Sequence, residues 1–416
     1  MIAKIRGFIS SNGIVKGILL FLRYCLCTFT KIFGAKILNR ICGLKKIIVL
    51  KGQMDFEGNC KALYYEFLKC GLNREYKIVW HIDNGANKIK IDEKYATIIT
   101  KKNWLRSIYY NATASYVFFE VNCCFQRRVN GQKIIYLGHG CPSIKNCKGF
   151  ITLNDKLVSN AVITSENVRD IMAYMFEYPK DRFLINGMPR NDIIVNSKNN
   201  FSNYGIKRGL KVIIWMPTFR ESNIVLNNVR RIDSDAHYLY GLPLIHNESD
   251  LQEINERLAE YNLLLLIKPH PRALCCSIES ISYSNIKVWT NEFLSENNID
   301  LYSLFKDSAA LLSDYSSVSF DYILSNNPIG YIVDDMESYK IGFAYKNALD
   351  YMPGHHIKNI EDLVSFFADI SSGRDPYCQE RQKINAWANT YNDGRNAARL
   401  IKLVGINKTN CCFDSE

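Results

Sequence analysis

Short apolar runs recur along the chain from residue 47 onward, and most of them are continuous rather than alternating. Continuous runs rich in β-branched and aromatic residues predict parallel strands that are buried on both faces of a sheet. Such runs occur at 47–50, 78–82, 116–119, 134–137, 161–164, 183–185, 212–215, 263–267, 287–289, 310–312 and 329–333. Helical stretches occur at 60–70, 165–176, 251–261, 320–325 and 360–367. This alternation predicts an α/β fold with two Rossmann-like sheets.

The length of the chain and one polar stretch predict two domains. A chain of 416 residues suits two domains of ordinary size. The polar stretch 196–203 has the composition of a linker. We therefore predict a leader, two Rossmann-like domains and a tail, at 1–46, 47–200, 201–404 and 405–416. A last helix is expected near 380–404, and the sequence alone does not decide which domain it packs against.

The leader carries nearly all of the excess positive charge. The net charge is +11, and ten lysines and arginines precede Asp55, the first acidic residue. Apolar residues are interleaved with these cations, but the uncharged stretches 17–22 and 24–30 are too short to span a bilayer. The pattern predicts a basic amphipathic segment that lies on an anionic membrane surface. The alternative is an ordinary packed helix with a solvated basic face.

Several other classes of site have no support in the sequence. The 14 cysteines lack the paired C-x-x-C spacing of zinc sites, so free thiols in a reducing compartment are expected. No P-loop, dinucleotide-binding glycine motif or H-E-x-x-H motif is present. The pair Asp334–Asp335 is read as a turn, and neither a metal nor a cofactor is predicted. Beyond the leader the chain is near charge balance, and no specific nucleic-acid binding is expected.

Two histidine motifs, each at the end of an apolar run, carry most of the predicted chemistry. The first is Gly-His-Gly-Cys-Pro at 138–142. Its glycines permit a tight turn, and Gly140 permits close approach of a substrate to the backbone. A neutral His139 is suited to act as a general base. The alternative is a strand-end histidine that hydrogen-bonds to a carbonyl group.

The second motif, Lys-Pro-His-Pro-Arg at 268–272, concentrates positive charge. Two prolines prevent a helix and stiffen the backbone. Lys268, His270 and Arg272 then form a cluster suited to a diphosphate. The alternative is a solvated basic turn.

Three further segments add candidate phosphate ligands. Ser316 and Ser317 lie where the N-cap of a helix is expected, and hydroxyls and free backbone N–H groups there bind anions. Thr218 and Arg220 follow the first strand of the second domain, the usual ligand-facing edge. Arg190 lies near the end of the predicted first domain. For either arginine, phosphate binding and a structural ion pair remain open.

Together these motifs resemble the CDP-glycerol glycerophosphotransferase family of teichoic-acid primases and polymerases. The resemblance runs from about residue 47 to residue 404 and includes 59–64, 138–142, 187–192, 216–220, 268–271, 313–317 and 320–322. Cys141 stands where the family typically has threonine, and Leu137 stands where it has tryptophan.

The resemblance implies a GT-B architecture, in which two Rossmann-like domains face a cleft, the first for the acceptor and the second for the CDP donor. It implies transfer of a polyol phosphate, from CDP-glycerol or a similar CDP-alcohol, to a lipid-linked glycan or polymer, with release of CMP. His139 would be the base and His270 would bind the diphosphate. Ser316 and Ser317 would hold phosphate, and the matching motifs add Asp314 and Asp321 as substrate-binding residues. Enzymes of this family are peripheral on the cytoplasmic face of the membrane.

Two alternative functions remain at this point. The same cleft fits a GT-B glycosyltransferase that uses a nucleotide sugar. It also fits a non-catalytic, membrane-bound assembly factor that retains the cleft for binding only.

Overall fold

The computed structural model describes residues 13–53, 56–83, 91–100, 102–226, 229–234, 236–273 and 278–407. The predicted features at residues 1–12, at the Cys275–Cys276 pair and in the tail beyond residue 407 lie outside this range. The chain forms two lobes, each built on one parallel sheet.

The first lobe is a sheet of seven strands with helices packed around it. In chain order its elements are α1 (Ile14–Cys42), β1 (Lys45–Lys51), α2 (Gly58–Lys69), β2 (Lys77–Ile82), β3 (Thr97–Thr100), α3 (Trp104–Thr113), β4 (Ala114–Phe119), β5 (Lys133–Tyr136), β6 (Asn160–Ile163), α4 (Arg169–Phe176) and β7 (Phe183–Ile185). The strand order is β3-β2-β1-β4-β5-β6-β7, and every pairing is parallel.

The second lobe repeats this arrangement with six strands. Its elements are α5 (Asn191–Asn196), β8 (Lys211–Trp215), β9 (Glu221–Leu226), β10 (Val229–Ile232), α6 (Glu248–Glu260), β11 (Leu263–Ile267), β12 (Ile286–Val288), α7 (Asn291–Glu296), β13 (Ala310–Ser313), α8 (Val318–Tyr322), β14 (Ile329–Ile332), β15 (His355–Ile357), α9 (Ile360–Ser372) and α10 (Cys378–Ala388). The order is β12-β11-β8-β13-β14-β15, all parallel, and β9 and β10 form a separate antiparallel hairpin. A final helix, α11 (Asn396–Leu403), follows.

Both sheets have the strand order of a Rossmann fold, which confirms the predicted fold class. Taken within each lobe, the order reads 3-2-1-4-5-6, with one additional strand in the first lobe. The strand interiors are buried on both faces, as in β11, where all five residues are buried. In this fold, ligands bind beyond the carboxyl ends of the strands. Those ends carry the motifs singled out above.

The hydrophobic core of the first lobe includes residues from the last helix of the chain. The first core ends at Met188 and then resumes with Ala397, Leu400 and neighbouring residues of α11. The expected last helix is two helices, α10 and α11, and the second returns to the first lobe. Asp192 accepts hydrogen bonds from the N–H groups of residues 396 and 397, at 2.8 and 2.7 Å, and so caps α11. The predicted second domain, 201–404, therefore includes a helix, α11, that packs in the core of the first lobe.

The leader forms one long helix, α1, that packs against α3. Ala35 is fully buried beside Ile108, and Gly34 allows this close approach. The cations and exposed apolar side chains of α1 are intermixed around the helix, so two separate faces are not established. No helix within the described residues combines the length and apolar character needed to cross a bilayer.

Candidate active site

The first histidine loop leaves the carboxyl end of β5 and is held in place by α2. Gly138 has φ +69°, a left-handed conformation that favours glycine. Asn59 in the first turn of α2 donates a hydrogen bond to the Gly138 carbonyl at 3.0 Å and accepts one from the Arg190 N–H at 3.0 Å. One buried amide thus joins two loops that carry predicted site residues.

His139 is partly buried and neutral. Burial is the main reason that its pKa is lowered to about 4, and nearby cations add to the effect. These cations are Arg190, Arg272 and Lys145. The Nδ1 atom is buried, and the backbone of Glu120 acts on the ring in the direction that raises its pKa. A neutral imidazole can accept a proton, as general-base chemistry requires.

The second histidine loop leaves the carboxyl end of β11 and fixes the tautomer of His270. The backbone N–H of Arg272 donates a hydrogen bond to His270 Nδ1 at 3.0 Å. Because Nδ1 accepts, the proton of the neutral ring resides on Nε2, which becomes a donor. Burial lowers the pKa of His270 to about 3, and the ring packs edge-on against Phe219.

Lys268 is the first residue of this loop, directly after β11. Its backbone N–H bonds to the Trp215 carbonyl at 2.8 Å, and its ammonium donates to the Pro269 carbonyl at 2.9 Å. Burial lowers its pKa to about 8, and the negative charge of Glu57 opposes that shift. The lysine is therefore a buried cation whose ionisation is sensitive to pH near neutrality.

The structure brings the two histidine loops together from opposite lobes. His139 contributes to the lowered pKa of His270, and the charges of Arg272 and Lys145 act on both rings. The first histidine loop also approaches the loop that precedes α8. A Cβ built on Gly140 would lie 2.1 Å from Ser317 Oγ, so only glycine permits this approach. Ser316 and Ser317 are partly exposed at the same junction.

Arg190 contacts both lobes, because its backbone N–H bonds to Asn59 and its guanidinium pairs with Asp321. Its guanidinium pairs with Asp321 of α8 at 2.5 Å, and it lies 5.1 Å from the ring centroid of Tyr302. The Tyr302 hydroxyl donates to the same carboxylate at 3.0 Å. Arg190 and Asp321 are therefore engaged with each other, and the structure assigns both a part in joining the two lobes.

Thr218, Arg220 and Asp314 form a buried network inside the second lobe. Arg220 contacts Asp314 Oδ2 at 2.8 Å and Asp335 Oδ2 at 2.7 Å. The Thr218 hydroxyl donates to Asp314 Oδ2 at 2.8 Å. All four residues are at most 4% exposed. This corrects the expectation that Thr218 and Arg220 point into the cleft, because two buried carboxylates already compensate the guanidinium.

Asp334 and Asp335 form a turn after β14, which confirms the prediction, and both carboxylates also have partners. Asp335 is the second partner of Arg220, and Asp334 accepts from the Tyr238 hydroxyl at 2.7 Å and from the Leu244 N–H at 3.1 Å. Within the described residues, no three His, Cys, Asp or Glu side chains are grouped as metal ligands.

Cys141 lies in the core and not at the cleft surface. It is 3% exposed, its sulfur accepts from the Thr164 hydroxyl at 3.8 Å, and burial raises its pKa to about 12. Leu137 is fully buried in the same core. Both departures from the family pattern therefore alter interior packing.

Sequence reasoning missed two carboxylates and a lysine. Glu120 follows β4, accepts from the Cys60 N–H at 2.7 Å at the start of α2, and has a pKa raised to about 7 by burial. Glu57 precedes α2 and remains exposed, yet the surrounding protein removes enough hydration to raise its pKa to about 7. Lys145 follows the first histidine motif. The position of Glu120 after an apolar run was a signal available in the sequence.

Two Rossmann-like lobes, with the histidine motifs at the carboxyl ends of their strands, define a GT-B-type fold. Residues 43–405 match the family model for CDP-Glycerol:Poly(glycerophosphate) glycerophosphotransferase. The chain belongs to this family.

Curated relatives and solved structures agree with this placement. The chain is 27% identical over 248 residues to the teichoic acid glycerol-phosphate primase of Bacillus spizizenii, covering 58% of this chain and 57% of that protein. It is 24% identical over 363 residues to the teichoic acid poly(glycerol phosphate) polymerase of Staphylococcus epidermidis, covering 81% of this chain and 46% of that protein. The chain thus spans about half the length of these two relatives. The structure of the wall teichoic acid polymerase TagF superposes with a TM-score of 0.71 at 19% identity and covers 97% of each chain.

Proposed function

We propose that this chain transfers glycerol phosphate, or a related polyol phosphate, from a CDP-alcohol to a hydroxyl of a lipid-linked glycan or polymer acceptor. CMP is released, and the product is a teichoic-acid-like or capsular polymer. The observation that carries the proposal is the pair of neutral imidazoles from opposite lobes. The same two cations, Arg272 and Lys145, lower the pKa of both rings. The names of the two curated relatives support glycerol phosphate as the transferred group.

In the proposed reaction the acceptor oxygen attacks the phosphorus that bears the polyol. The bond from that phosphorus to the bridging oxygen breaks, and the electron pair leaves with CMP. His139 takes the proton of the acceptor hydroxyl. His270, through Nε2–H, and the cations Lys268 and Arg272 stabilise the charge on the departing phosphate.

The remaining predicted residues divide between contact and positioning. Ser316 and Ser317, at the junction with Gly140, are proposed to contact phosphate through their hydroxyls. Arg190 and Asp321 are proposed to hold the lobes at the distance the reaction requires. Thr218, Arg220 and Asp314 are proposed to support the strand ends beneath the donor.

The pH dependence of kcat/KM should reveal the shifted pKa values of His139 and Lys268, because it reports the ionisable groups of the free enzyme. His139 accepts a proton only above its pKa of about 4, so activity should not fall between pH 7 and pH 5. Lys268 loses its charge above its pKa of about 8, so kcat/KM should decline from there upward. An acid limb near 6.5, the ordinary histidine value, would contradict the assignment.

Two variants identify the alkaline group in the same assay. Lys268→Arg should remove the decline, because arginine stays protonated. Glu57→Gln should move the decline to lower pH, because the carboxylate raises the pKa of Lys268. If the alkaline limb persists unchanged in both variants, another group causes it.

Replacing Gly140 tests whether the lobes must meet closely for activity. The alanine methyl would lie 2.1 Å from Ser317 Oγ and 2.8 Å from its Cβ, which forces the loops apart. A displacement of about 1 Å can cost on the order of 100-fold in rate, so CMP release should fall by roughly that factor. Adding Ser317→Gly should restore part of the rate. Ser317→Gly alone measures the separate cost of losing the proposed phosphate contact, and the double variant should match it. A double variant that is still about 100-fold slower than Ser317→Gly alone would show that the clash is not the cause.

A donor panel tests the function itself. Purified full-length protein is incubated with an acceptor-containing membrane extract and CDP-glycerol, CDP-ribitol, UDP-sugars or GDP-sugars, and the released nucleotide is identified by mass. We expect CMP from a CDP-alcohol. Release of UDP or GDP would instead establish a glycosyltransferase. Tight binding of CDP-glycerol without any product would favour the assembly-factor alternative.

We also propose peripheral association with an anionic membrane, on the cytoplasmic face, through α1. Ten cations and no acidic residue precede residue 55. The described part of α1 exposes Ile14, Val15, Ile18, Leu19, Leu22, Phe29, Phe33, Ile37 and Ile41. The packed neighbour α3 adds exposed Trp104 and Leu105. Apolar side chains mixed with cations suit an interface that combines acyl chains with anionic headgroups.

Co-sedimentation with lipid vesicles tests this association. The protein should bind phosphatidylglycerol vesicles more than phosphatidylcholine vesicles, and salt should weaken the binding. Leu19→Glu combined with Leu22→Glu should reduce binding, whereas Leu403→Glu, at an exposed leucine of α11, should not. Equal binding by both variants would exclude α1 as the contact.

A further inference from the structure

The carboxylate of Glu120 caps the N-terminus of α2 from a different element of the fold. Glu57, the residue directly before α2, makes no capping hydrogen bond with its side chain. Glu120, directly after β4, accepts a hydrogen bond from the Cys60 N–H at Oε1, at 2.7 Å, and one from the Gln53 N–H at Oε2, at 3.4 Å. Cys60 is the third residue of α2, where a capping side chain normally bonds. A carboxylate that is 1% exposed therefore fixes the first turn of this helix.

The backbone around this carboxylate is shaped to admit it. Gly58, the first residue of α2, has φ +67°, and a Cβ there would lie 2.7 Å from Glu120 Oε2 and 2.9 Å from Oε1. Only glycine lets the carboxylate approach the turn so closely. The Glu120 N–H also bonds to the Lys51 carbonyl at 3.2 Å, which fixes Glu120 to the end of β1.

The same helical turn holds the first histidine loop. Asn59 lies next to Cys60 in the first turn of α2 and is fully buried. Its amide donates to the carbonyl of Gly138 at 3.0 Å, and Gly138 directly precedes His139. Two hydrogen bonds and one helical turn thus connect Glu120 to the backbone beside His139.

We propose that Glu120 is a positioning residue for the general base, and that it places His139 through the first turn of α2 and the Asn59 amide. Glu120 itself takes no proton from the acceptor. A protonated carboxyl group keeps one oxygen that can accept from the Cys60 N–H, so the role does not require a charge. This inference rests on the proposed function of His139, and Glu120 lies in none of the predicted motifs.

The kinetics of full-length variants test the proposal. Glu120→Ala removes the cap and releases the histidine loop, and a displacement of about 1 Å can cost on the order of 100-fold in rate. We therefore expect kcat for CMP release to fall by roughly that factor, while the Kd of CDP-glycerol stays unchanged. Glu120→Gln should retain most of the rate, because its amide oxygen can still accept from the Cys60 N–H.

A double-variant cycle separates positioning of His139 from general damage. If Glu120 acts through His139, adding Glu120→Ala to His139→Ala should cost little further rate, because the two effects share one group. A further loss of roughly 100-fold in the double variant would overturn the proposal. Glu120→Asp is a second perturbation that keeps the charge, but its shorter side chain withdraws the carboxylate from the Cys60 N–H, so kcat should fall here too.

Asn359→Ala is the matched control, because it removes a helix cap in the second lobe. The Asn359 side chain accepts from the Asp362 N–H at 2.8 Å in the first turn of α9. Its loss should lower the midpoint of urea unfolding, as Glu120→Ala does, but should leave kcat unchanged. A similar fall of kcat in both variants would show that lost stability is the cause, which would also overturn the proposal.

NMR of histidine-labelled protein measures the placement of His139 without any substrate. The signal that is absent from His139→Ala identifies the ring. Glu120→Ala and Glu120→Asp should move this signal and raise the pKa of His139 from about 4 towards 6.5, because a displaced ring gains water. Asn359→Ala should change neither. An unmoved His139 signal in the Glu120 variants would overturn the proposal. If the wild type releases no CMP from any CDP-alcohol but the signal still moves, the proposed function fails and the positioning contact stands.

Discussion

Replacing His139 with alanine should lower kcat for CMP release by roughly 100- to 10,000-fold, the range for loss of a positioned general base. The imidazole is neutral and partly buried, so it can take the proton of the acceptor hydroxyl, and alanine removes that group. CDP-glycerol should still bind, because the loss concerns the proton of the acceptor. Initial rates of CMP formation, with the Kd of CDP-glycerol measured by calorimetry, separate these two quantities.

His246→Ala provides the control for this measurement. His246 is an exposed histidine of the second lobe, and its loss should leave the rate unchanged. His270→Ala should also abolish turnover, but it should weaken donor binding as well, because His270 is proposed to donate to the diphosphate through Nε2–H. Near-normal CMP release by a folded His139→Ala protein would refute its role as the base.

Replacing Arg220 with methionine should destabilise the second lobe by about 3–5 kcal/mol, because it leaves two buried carboxylates without their cation. Asp314 and Asp335 are 1% and 4% exposed, and each lies within 2.8 Å of the guanidinium. The midpoint of urea unfolding, followed by fluorescence, should fall accordingly. This outcome is expected for a structural arginine and not for one that only contacts substrate.

Arg257→Met is the matched control, because it removes an exposed ion pair instead of a buried one. Arg257 pairs with Glu260 at 3.0 Å on the surface of α6, with both side chains about half exposed. Such pairs contribute about 0–1 kcal/mol, so the midpoint should barely move. If Arg220→Met unfolds like the wild type but no longer binds CDP-glycerol, Arg220 is a substrate ligand after all.

The strand pattern was predictable because buried parallel strands leave a continuous apolar run in the sequence. All eleven predicted runs are strands in the structure, within a few residues at their ends. Three features were missed for local reasons. β3 has only four residues, β15 begins with two histidines, and the β9–β10 hairpin lies outside the main sheets. None of them carries a long apolar run.

The histidines of the candidate site were predictable because each follows a strand, where this fold places its ligands. The roles of the arginines were not, because their partners are distant in sequence. Arg190 meets Asp321 131 residues away, and Arg220 meets Asp335 115 residues away.

The exchange of α11 between the lobes constrains how the protein can open. The chain crosses once near residue 190 and returns near residue 390, and the two crossings touch. The Asn196 amide donates to the Gly394 carbonyl at 2.8 Å, and Asp192 caps α11 beside it. Because the two crossings lie side by side and are hydrogen-bonded to each other, we expect any movement between the lobes to bend the chain at this one place.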